Sequence, residues 1–395
     1  MNHSLSPTNL QEHRQKFPGL LNKTYFNFGG QGTMPDTALN AIIDTHKYIQ
    51  QVGPFSGRVN NWLTEKVNLL RQEIAIELNT IPETITITEN VTAGCNIALW
   101  GIEWQTGDRI LMTDCEHPGI IATVNEIARR FDLKVAICPI MNTLNSGDPA
   151  AVIESHLTEN TRMVVLSHLL WNTGQVLPLK EIARTCHNYS AKHTIRVMVD
   201  AAQSVGSLYL NLPELEIDYY AFTGHKWLCG PAGVGGLYVS QAAFSELNPT
   251  FIGWRGVEMD DHGKPTGWNQ DGTKYEVATS AYPEYEGLRN AIALHRSWGT
   301  SAARYQQICE SSKYLWTQLQ TIKTLNCLKD TPPEAGLVSF TVAGIEHSRL
   351  VNALEKQGFL LRTIADPDCI RACVHYLTLT EECDRLIAAI KSLVN

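Results

Sequence analysis

Between about Thr84 and Ser240 of this 395-residue chain, short β-rich apolar runs alternate with longer stretches of helical period. No other feature narrows the fold as much, because this alternation is what a sheet with crossover helices requires. The spacing predicts strands at Arg109–Thr113, Lys134–Ile140, Arg162–Ser167, Arg196–Val199 and Asp218–Phe222, with Gly235–Val239 as the last. Between the first two, Ile120, Val124, Ile127, Ala128 and Phe131 recur at helical spacing, so one face of that segment packs on the sheet. Leu179–His187 reads likewise. Strands of Val, Ile and Met with few polar residues inside are buried on both faces, as parallel strands are. The predicted fold class is therefore α/β, with a doubly wound, mainly parallel sheet. Ligands of such sheets bind beyond the carboxyl ends of the strands. That filter selects Glu116 and His117, Trp171 to Gly174, Asp200 to Gln203, and Thr223 to Lys226.

Gln241 to Tyr275 is broken by glycines and reads as a connector without regular structure. After it, Tyr285–Cys309 is predicted helical. A mixed pattern comes next, with strands at Leu337–Val342, Phe359–Thr363 and Cys369–Leu377 and helices at Ser348–Gln357 and Glu381–Leu393, which implies a second, smaller α+β domain. Composition excludes several classes. With 44% hydrophobic and 18% charged residues the chain is neither disordered nor a small disulfide scaffold. A net charge of −8, with no basic run longer than Arg129 and Arg130, leaves no electrostatic footprint for nucleic acid. Met1 to Gln15 is polar and nowhere do eighteen apolar residues run together, so neither export nor a membrane span is expected. A cytoplasmic protein is the expectation. The 10 cysteines include no Cys-x-x-Cys pair, so zinc-ribbon and dithiol spacings are missing and free thiols in a reducing compartment are expected.

Thr223-Gly224-His225-Lys226-Trp227 comes directly after an apolar strand, which puts Lys226 at the mouth of the sheet. A partly desolvated amine there has a lowered pKa and forms a Schiff base with a carbonyl more readily than a hydrated surface lysine. Asp200 closes the run Arg196-Val197-Met198-Val199. An acid at the end of a buried strand needs a cationic or hydrogen-bonding partner, and it is either the partner of a protonated pyridine nitrogen or a structural cap for the next helix. Asn90-Val91-Thr92-Ala93-Gly94-Cys95-Asn96 begins a helix whose small residues let a phosphate approach its unpaired first-turn amides, to which Thr92 adds a hydroxyl. Gly233-Val234-Gly235-Gly236 is no dinucleotide fingerprint, since Tyr238 stands where the last glycine is needed and the next element is a strand.

Together these segments resemble the class V aminotransferase family of fold type I pyridoxal-phosphate enzymes, the group that includes cysteine desulfurases and related carbon-sulfur lyases. The resemblance runs from Thr24-Tyr25-Phe26-Asn27, through Gly107-Asp108, Glu116-His117-Pro118-Gly119, Ser167-His168, Asp200-Ala201-Ala202-Gln203 and Thr223-Gly224-His225-Lys226, to Ile370-Arg371. It implies pyridoxal 5'-phosphate as cofactor, with Lys226 as the Schiff-base lysine, Asp200 on the pyridine nitrogen, His117 stacked on the ring and Gln203 facing the phenolic oxygen. Phosphate contacts are implied at Thr92, Ala93, Gly94, Thr223 and His225. Ala278-Thr279 matches the segment by which a neighbouring subunit reaches the phosphate, which implies a homodimer with shared active sites. Arg371 matches the arginine that clamps the substrate carboxylate. The implied division is a large cofactor-binding domain over residues 24–280 and a small domain from 1–23 and 281–395. Where desulfurases place an asparagine three residues before the glycine of Leu170-Trp171-Asn172-Thr173-Gly174, this chain has Trp171. Either Trp171 shapes the substrate pocket or it is a core residue with a paired indole N–H, and Asn172 loses its clear assignment as a cofactor contact.

A desulfurase needs a cysteine thiolate on a mobile loop, and in that group the loop lies between the stretches matching Phe359–Thr363 and Cys369–Arg371. Here only Ile364 to Asp368 separate them, and Pro367 stiffens the link. Cys369 is the one thiol nearby, at the start of the strand bearing Arg371. The activity expected is therefore β-elimination from L-cysteine, or more readily L-cystine, giving pyruvate, ammonia and sulfide or cysteine persulfide. Desulfuration with alanine as product, and transamination or epimerisation, are the alternatives. Arg362 is either a second carboxylate contact or a salt-bridge residue beside Asp366. The implied partners are a sulfur amino acid, a second copy of the chain and sulfur-accepting iron-sulfur assembly proteins.

Overall fold

Strands that alternate apolar residues toward two opposite faces need cover on both, and the chain supplies it. The computed structural model describes residues 9–394; the first eight residues of the polar start lie outside them. In chain order, α1 (Leu10–Arg14), β1 (Thr24–Tyr25), α2 (Asp36–Val52) and α3 (Gly57–Glu77) lead into β2 (Ile85–Thr88) and α4 (Val91–Trp100). Then come β3 (Arg109–Thr113), α5 (Pro118–Phe131), β4 (Lys134–Cys138), α6 (Pro149–His156), β5 (Thr161–Ser167), α7 (Leu179–Tyr189), β6 (Arg196–Asp200), α8 (Leu212–Leu215), β7 (Tyr219–Thr223) and β8 (Gly235–Val239). One seven-stranded sheet gathers β2 to β8 in the order β2-β8-β7-β6-β5-β3-β4. Of its strands β8 alone runs against the others, antiparallel to both β7 and β2. Leu111, Val164, Leu166, Val197, Val199, Tyr220 and Phe222 fill the core on one face. Ile110, Met112, Met163, Val165, Met198, Tyr219 and Ala221 fill it on the other. This two-sided burial is the pattern of a mainly parallel sheet. The predicted strands of this sheet stand within two residues of the observed ones, whereas the strand predicted at Cys369–Leu377 ends at Cys373. Pro139, which has no N–H for the ladder, ends β4 early and sends Ile140 into a 3-10 turn.

The second half of the chain holds α9 (Gln241–Phe244), β9 (Val257–Met259), β10 (Pro265–Trp268), α10 (Tyr282–Trp298), α11 (Ser301–Leu319), β11 (Leu325–Cys327), β12 (Leu337–Val342), α12 (His347–Lys356), β13 (Phe359–Leu360), β14 (Arg362–Ala365), β15 (Asp368–Cys373) and α13 (Thr380–Val394). The predicted connector contains the β9–β10 hairpin, whose exposed, glycine-interrupted strands carry no apolar alternation. The single helix predicted at Tyr285–Cys309 is two, broken at Gly299. Of these, α10 packs on α2 and α3. A four-stranded antiparallel sheet, β11-β12-β15-β14, forms the smaller α+β unit. Its core includes Leu315, Phe340, Ile370, Leu386 and Ile390. The chain start joins this unit: β1 pairs with β13 and Asn27 bridges Cys373.

Candidate active site

A cavity of about 500 Å³ opens at the carboxyl ends of β5 and β6 and beside the turn after β7. Thr92, His117, Trp171, Asp200, Gln203, His225, Lys226, Arg362 and Arg371 all line it. Residues far apart in sequence converge because each stands after a strand end, caps a helix or lies in the β14–β15 hairpin.

Asp200 is buried at the last position of β6. One carboxylate oxygen accepts the Ala202 N–H at 2.9 Å, and among the described residues the other has no hydrogen-bond donor. Burial raises its pKa, against the pull of Ala202, Lys226 and His117. A carboxylate so placed wants a cationic partner. Lys226 stands across the cavity; burial pushes its amine down to about 8, although Asp200 pulls the other way. His117 is the N-cap of α5. Its Nδ1 accepts the Gly119 N–H at 3.2 Å, so in the neutral ring Nε2 carries the hydrogen. Desolvation lowers the His117 pKa. Gln203 donates from Nε2 to Gly29 O and accepts from the Trp227 indole, both at 2.9 Å. One N–H of its amide is left over.

At the start of α4, Asn90 Oδ1 caps the Ala93 N–H at 2.9 Å, and Gly94 faces away, where a Cβ would meet Ala221 Cβ at 2.9 Å. The phosphate contacts implied at Ala93 and Gly94 therefore do not open onto the cavity. Among the described residues the N–H groups of Val91 and Thr92 have no partner, and both residues line the cavity. Thr223 is buried and hydrogen-bonded to His225 Nδ1 at 2.7 Å, and of the two only His225 lines the cavity. Thr279 and Ala93 line a neighbouring cavity instead, and Thr92 is the residue common to both. Within one chain, Thr279 does not line the cavity that holds Lys226.

The substrate side is built on the small sheet. Arg371 lies on β15, buried, with Nη1 donating to Trp171 O at 2.7 Å and a buried Nε that has no partner. Arg362 pairs with it across the β14–β15 register and is exposed at the cavity mouth. Trp171 is half-buried on the cavity wall, so it is not a core residue, although its indole N–H is paired. Its indole donates to Cys115 O at 3.0 Å, and its ring meets His117 edge-on at 6.0 Å on the cavity wall. Asn172 turns away, donating to Asp366 O at 3.1 Å. Sequence reasoning missed three contributors. Gly29 and Gly30 bring backbone to the cavity, and at Gly29 a Cβ would meet Gln203 Oε1 at 2.8 Å and Arg371 Nη2 at 3.1 Å. The pair stands just past Asn27, and two adjacent glycines there were the available signal. Ser167 also lines the cavity and donates to Glu116 Oε2 at 2.9 Å.

Cys369 is fully buried, its thiol 4.0 Å from Asn172 O, and burial pushes it up to about 12. The link expected between two separated stretches is tighter still, a hairpin in which Ala365 pairs with Asp368 and only Asp366 and Pro367 turn the chain. Among the described residues no cysteine lines the cavity. A thiolate is the nucleophilic form of cysteine, and burial holds Cys369 as the thiol.

Residues 25–385 match the family described as Aminotransferase class-V. The solved structure of the cystine C-S lyase C-DES with its reaction product cysteine persulfide is 54% identical to this chain, at a TM-score of 0.92, covering 95% of this chain and 98% of that one. A C-DES mutant with glycine covalently linked to the PLP cofactor has the same identity and coverage at a TM-score of 0.93. The probable cysteine desulfurase of Halobacterium salinarum is 27% identical over 323 residues, 78% of this chain and 76% of that protein.

Proposed function

The chain belongs to the class V aminotransferase family, and from that membership we propose a carbon-sulfur lyase that, with pyridoxal 5'-phosphate bound, cleaves L-cystine, and less readily L-cysteine, by β-elimination to pyruvate, ammonia and cysteine persulfide or sulfide. The observation that carries this reading is the cavity without a cysteine, beside a Cys369 buried under a two-residue turn. Similarity to the cystine lyase C-DES over 95% of the chain supports it.

The residues fit the cofactor through their own unmet needs. Asp200 lacks a cation, Val91 and Thr92 present free N–H groups at a helix start where phosphate binds readily, and the Lys226 amine is lowered toward its neutral, nucleophilic form. Bound there, pyridoxal phosphate supplies an electron sink for charge developing at the substrate Cα. Asp200 would hold the ring N–H and His117 would lie against the ring. The spare Gln203 N–H would meet the phenolic oxygen, while Thr92, Thr223 and His225 would share the phosphate. Lys226 takes the Cα proton. Arg371, whose Nη1 is held by Trp171 O, would offer the rest of its guanidinium to the substrate carboxylate, and a planar guanidinium suits a bidentate contact. With no thiol to take the sulfur, the Cβ–S bond breaks with its electron pair leaving on sulfur. A persulfide accepts that pair better than a thiolate, which favours cystine, and the His117 Nε2–H is the hydrogen able to assist.

A homodimer belongs to the same proposal. Phe251, Ile252 and Trp254 are exposed large apolar residues in the segment leading to Val277 and Thr279, an arrangement suited to burial against a second copy that then receives Thr279 at its phosphate. A persulfide product is in turn a sulfur source for iron-sulfur assembly proteins. Pyruvate release from cystine, cysteine and other sulfur amino acids by the purified, cofactor-loaded protein tests the reading. Cystine should be turned over fastest; a requirement for a keto acid, or racemised product without pyruvate, would replace elimination by transamination or epimerisation.

A further inference from the structure

Lys226 is held by a turn that has almost no access to water. Trp227 and Leu228 are each 1% exposed, and Cys229 N–H closes back onto Lys226 O at 3.0 Å. Cys229 itself lies in the left-handed region at φ 51°, a conformation that a residue with a Cβ keeps only where its surroundings over-determine it. Inside such a turn the Trp227 and Leu228 carbonyls need donors. Each receives an imidazole from a distant part of the chain, the Cys229 thiol adding only a 3.9 Å contact to Trp227 O. His375 Nε2 lies 3.1 Å from Trp227 O, and His295 Nε2 lies 2.9 Å from Leu228 O.

The proton directions in this cluster are set by the chemistry of the groups. A carbonyl only accepts, so His295 carries its hydrogen on Nε2, and its bare Nδ1 accepts the Tyr376 hydroxyl at 2.7 Å. The Tyr376 oxygen then accepts from His13 Nε2 at 3.0 Å, and the chain ends at His13 Nδ1, which is buried without a partner. His375 likewise keeps Nδ1 bare, where it accepts the Leu377 N–H at 3.4 Å. His295 and His375 must be neutral for this polarity, since their Nδ1 atoms accept, and burial lowers all three rings, His13 to about 4 and His375 to about 3. On the cavity side, the Trp227 indole donates to Gln203, so the same rigid turn also fixes a residue of the cavity wall.

We infer that His375 and His295, the latter oriented by Tyr376 and His13, are positioning residues that hold the turn at Lys226–Cys229 and thereby aim the Lys226 amine into the cavity. This rests on the reading of Lys226 as the cofactor lysine. The test compares His295→Phe and His375→Phe with His295→Gln and His375→Gln, since a glutamine amide restores the lost donor. Three readouts are taken on the pyridoxal-phosphate-loaded protein: far-ultraviolet circular dichroism for the fold, visible circular dichroism of the bound cofactor, and kcat separately from KM. Folded phenylalanine variants should lose about ten- to hundredfold in kcat, with KM nearly unchanged and the visible dichroism reduced, and the glutamine variants should recover most of both. Folded phenylalanine variants with wild-type kcat and visible dichroism would overturn the inference. Should a phenylalanine variant fail to fold, Tyr376→Phe decides, because it keeps both imidazoles and removes only the hydroxyl that orients His295. A fall in kcat supports the chain, and wild-type kcat overturns it. Wild-type protein with no visible band, or Lys226→Ala with the wild-type band, would refute the cofactor reading instead, so the two failures are distinct.

Discussion

Arg362 and Arg371 stand directly opposite each other on adjacent antiparallel strands and line one cavity. Like charges in that relation are destabilising unless an anion serves them. Cystine carries two carboxylates and cysteine one, so on the proposed function buried Arg371 would take the first carboxylate and exposed Arg362 the second. Arg362→Ala is therefore a perturbation that separates the substrates. A hydrogen bond to a charged group contributes about 1.5–3 kcal/mol. Because Arg362 is open to water, the low end applies, about 1.5 kcal/mol, or roughly tenfold in kcat/KM. The assay is the initial rate of pyruvate formation with each substrate. Arg362→Ala should lower kcat/KM about tenfold for cystine and leave cysteine within a factor of about two. Arg362→Lys should recover only part, since an ammonium does not reproduce the planar fork. Equal losses for both substrates, or no loss for cystine, would refute the two-carboxylate reasoning.

Two other groups give pH-dependent outcomes. Capture of pyridoxal phosphate by the apo-protein needs the neutral amine, so with Lys226 at about 8 its rate should rise with pH, about tenfold per unit, and level off above about 8. A rate still climbing at about pH 10 would mean that the lysine is unperturbed. Glu116 is buried among Thr113 and Ser167, and burial raises its carboxyl from 4.5 to about 8. Between those values the folded chain holds a proton that the unfolded chain has released. This contribution to stability is therefore full below about 4.5 and is lost as pH rises toward about 8. Glu116→Gln should flatten the fall of the apo-protein's thermal midpoint over that window, and a wild-type slope in the variant would contradict the assignment.

The strands of the large sheet were legible because their residues are apolar on both faces. Once the strand ends are known, Asp200 and Lys226 stand out as polar residues at the mouth of the sheet. Contacts between distant parts of the chain were not legible. No local pattern tells that Thr24 pairs with Phe359, or that His13 reaches Tyr376 across 363 positions. The β9–β10 hairpin was hidden because exposed edge strands need no apolar alternation. The resemblance and the small side chains at the helix start implied phosphate contacts at Ala93 and Gly94, yet one amide is taken by Asn90 and the other residue packs on β7. The same small side chains serve close helix packing and phosphate approach, and only geometry separates the two. Arg371 stands in the cavity lining, but that its Nη1 is held by Trp171 O, 200 positions away, is a contact no local pattern tells.

The claim that sulfur leaves the substrate without passing to a protein thiol is tested most directly by product analysis. Holoenzyme and its Cys369→Ala variant are given L-cystine, and pyruvate and alanine are quantified against cystine consumed. Pyruvate should appear in step with consumption, with no alanine, and the variant should turn over at close to the wild-type rate. Alanine as the main product, or loss of turnover in a folded Cys369→Ala variant, would contradict the claim.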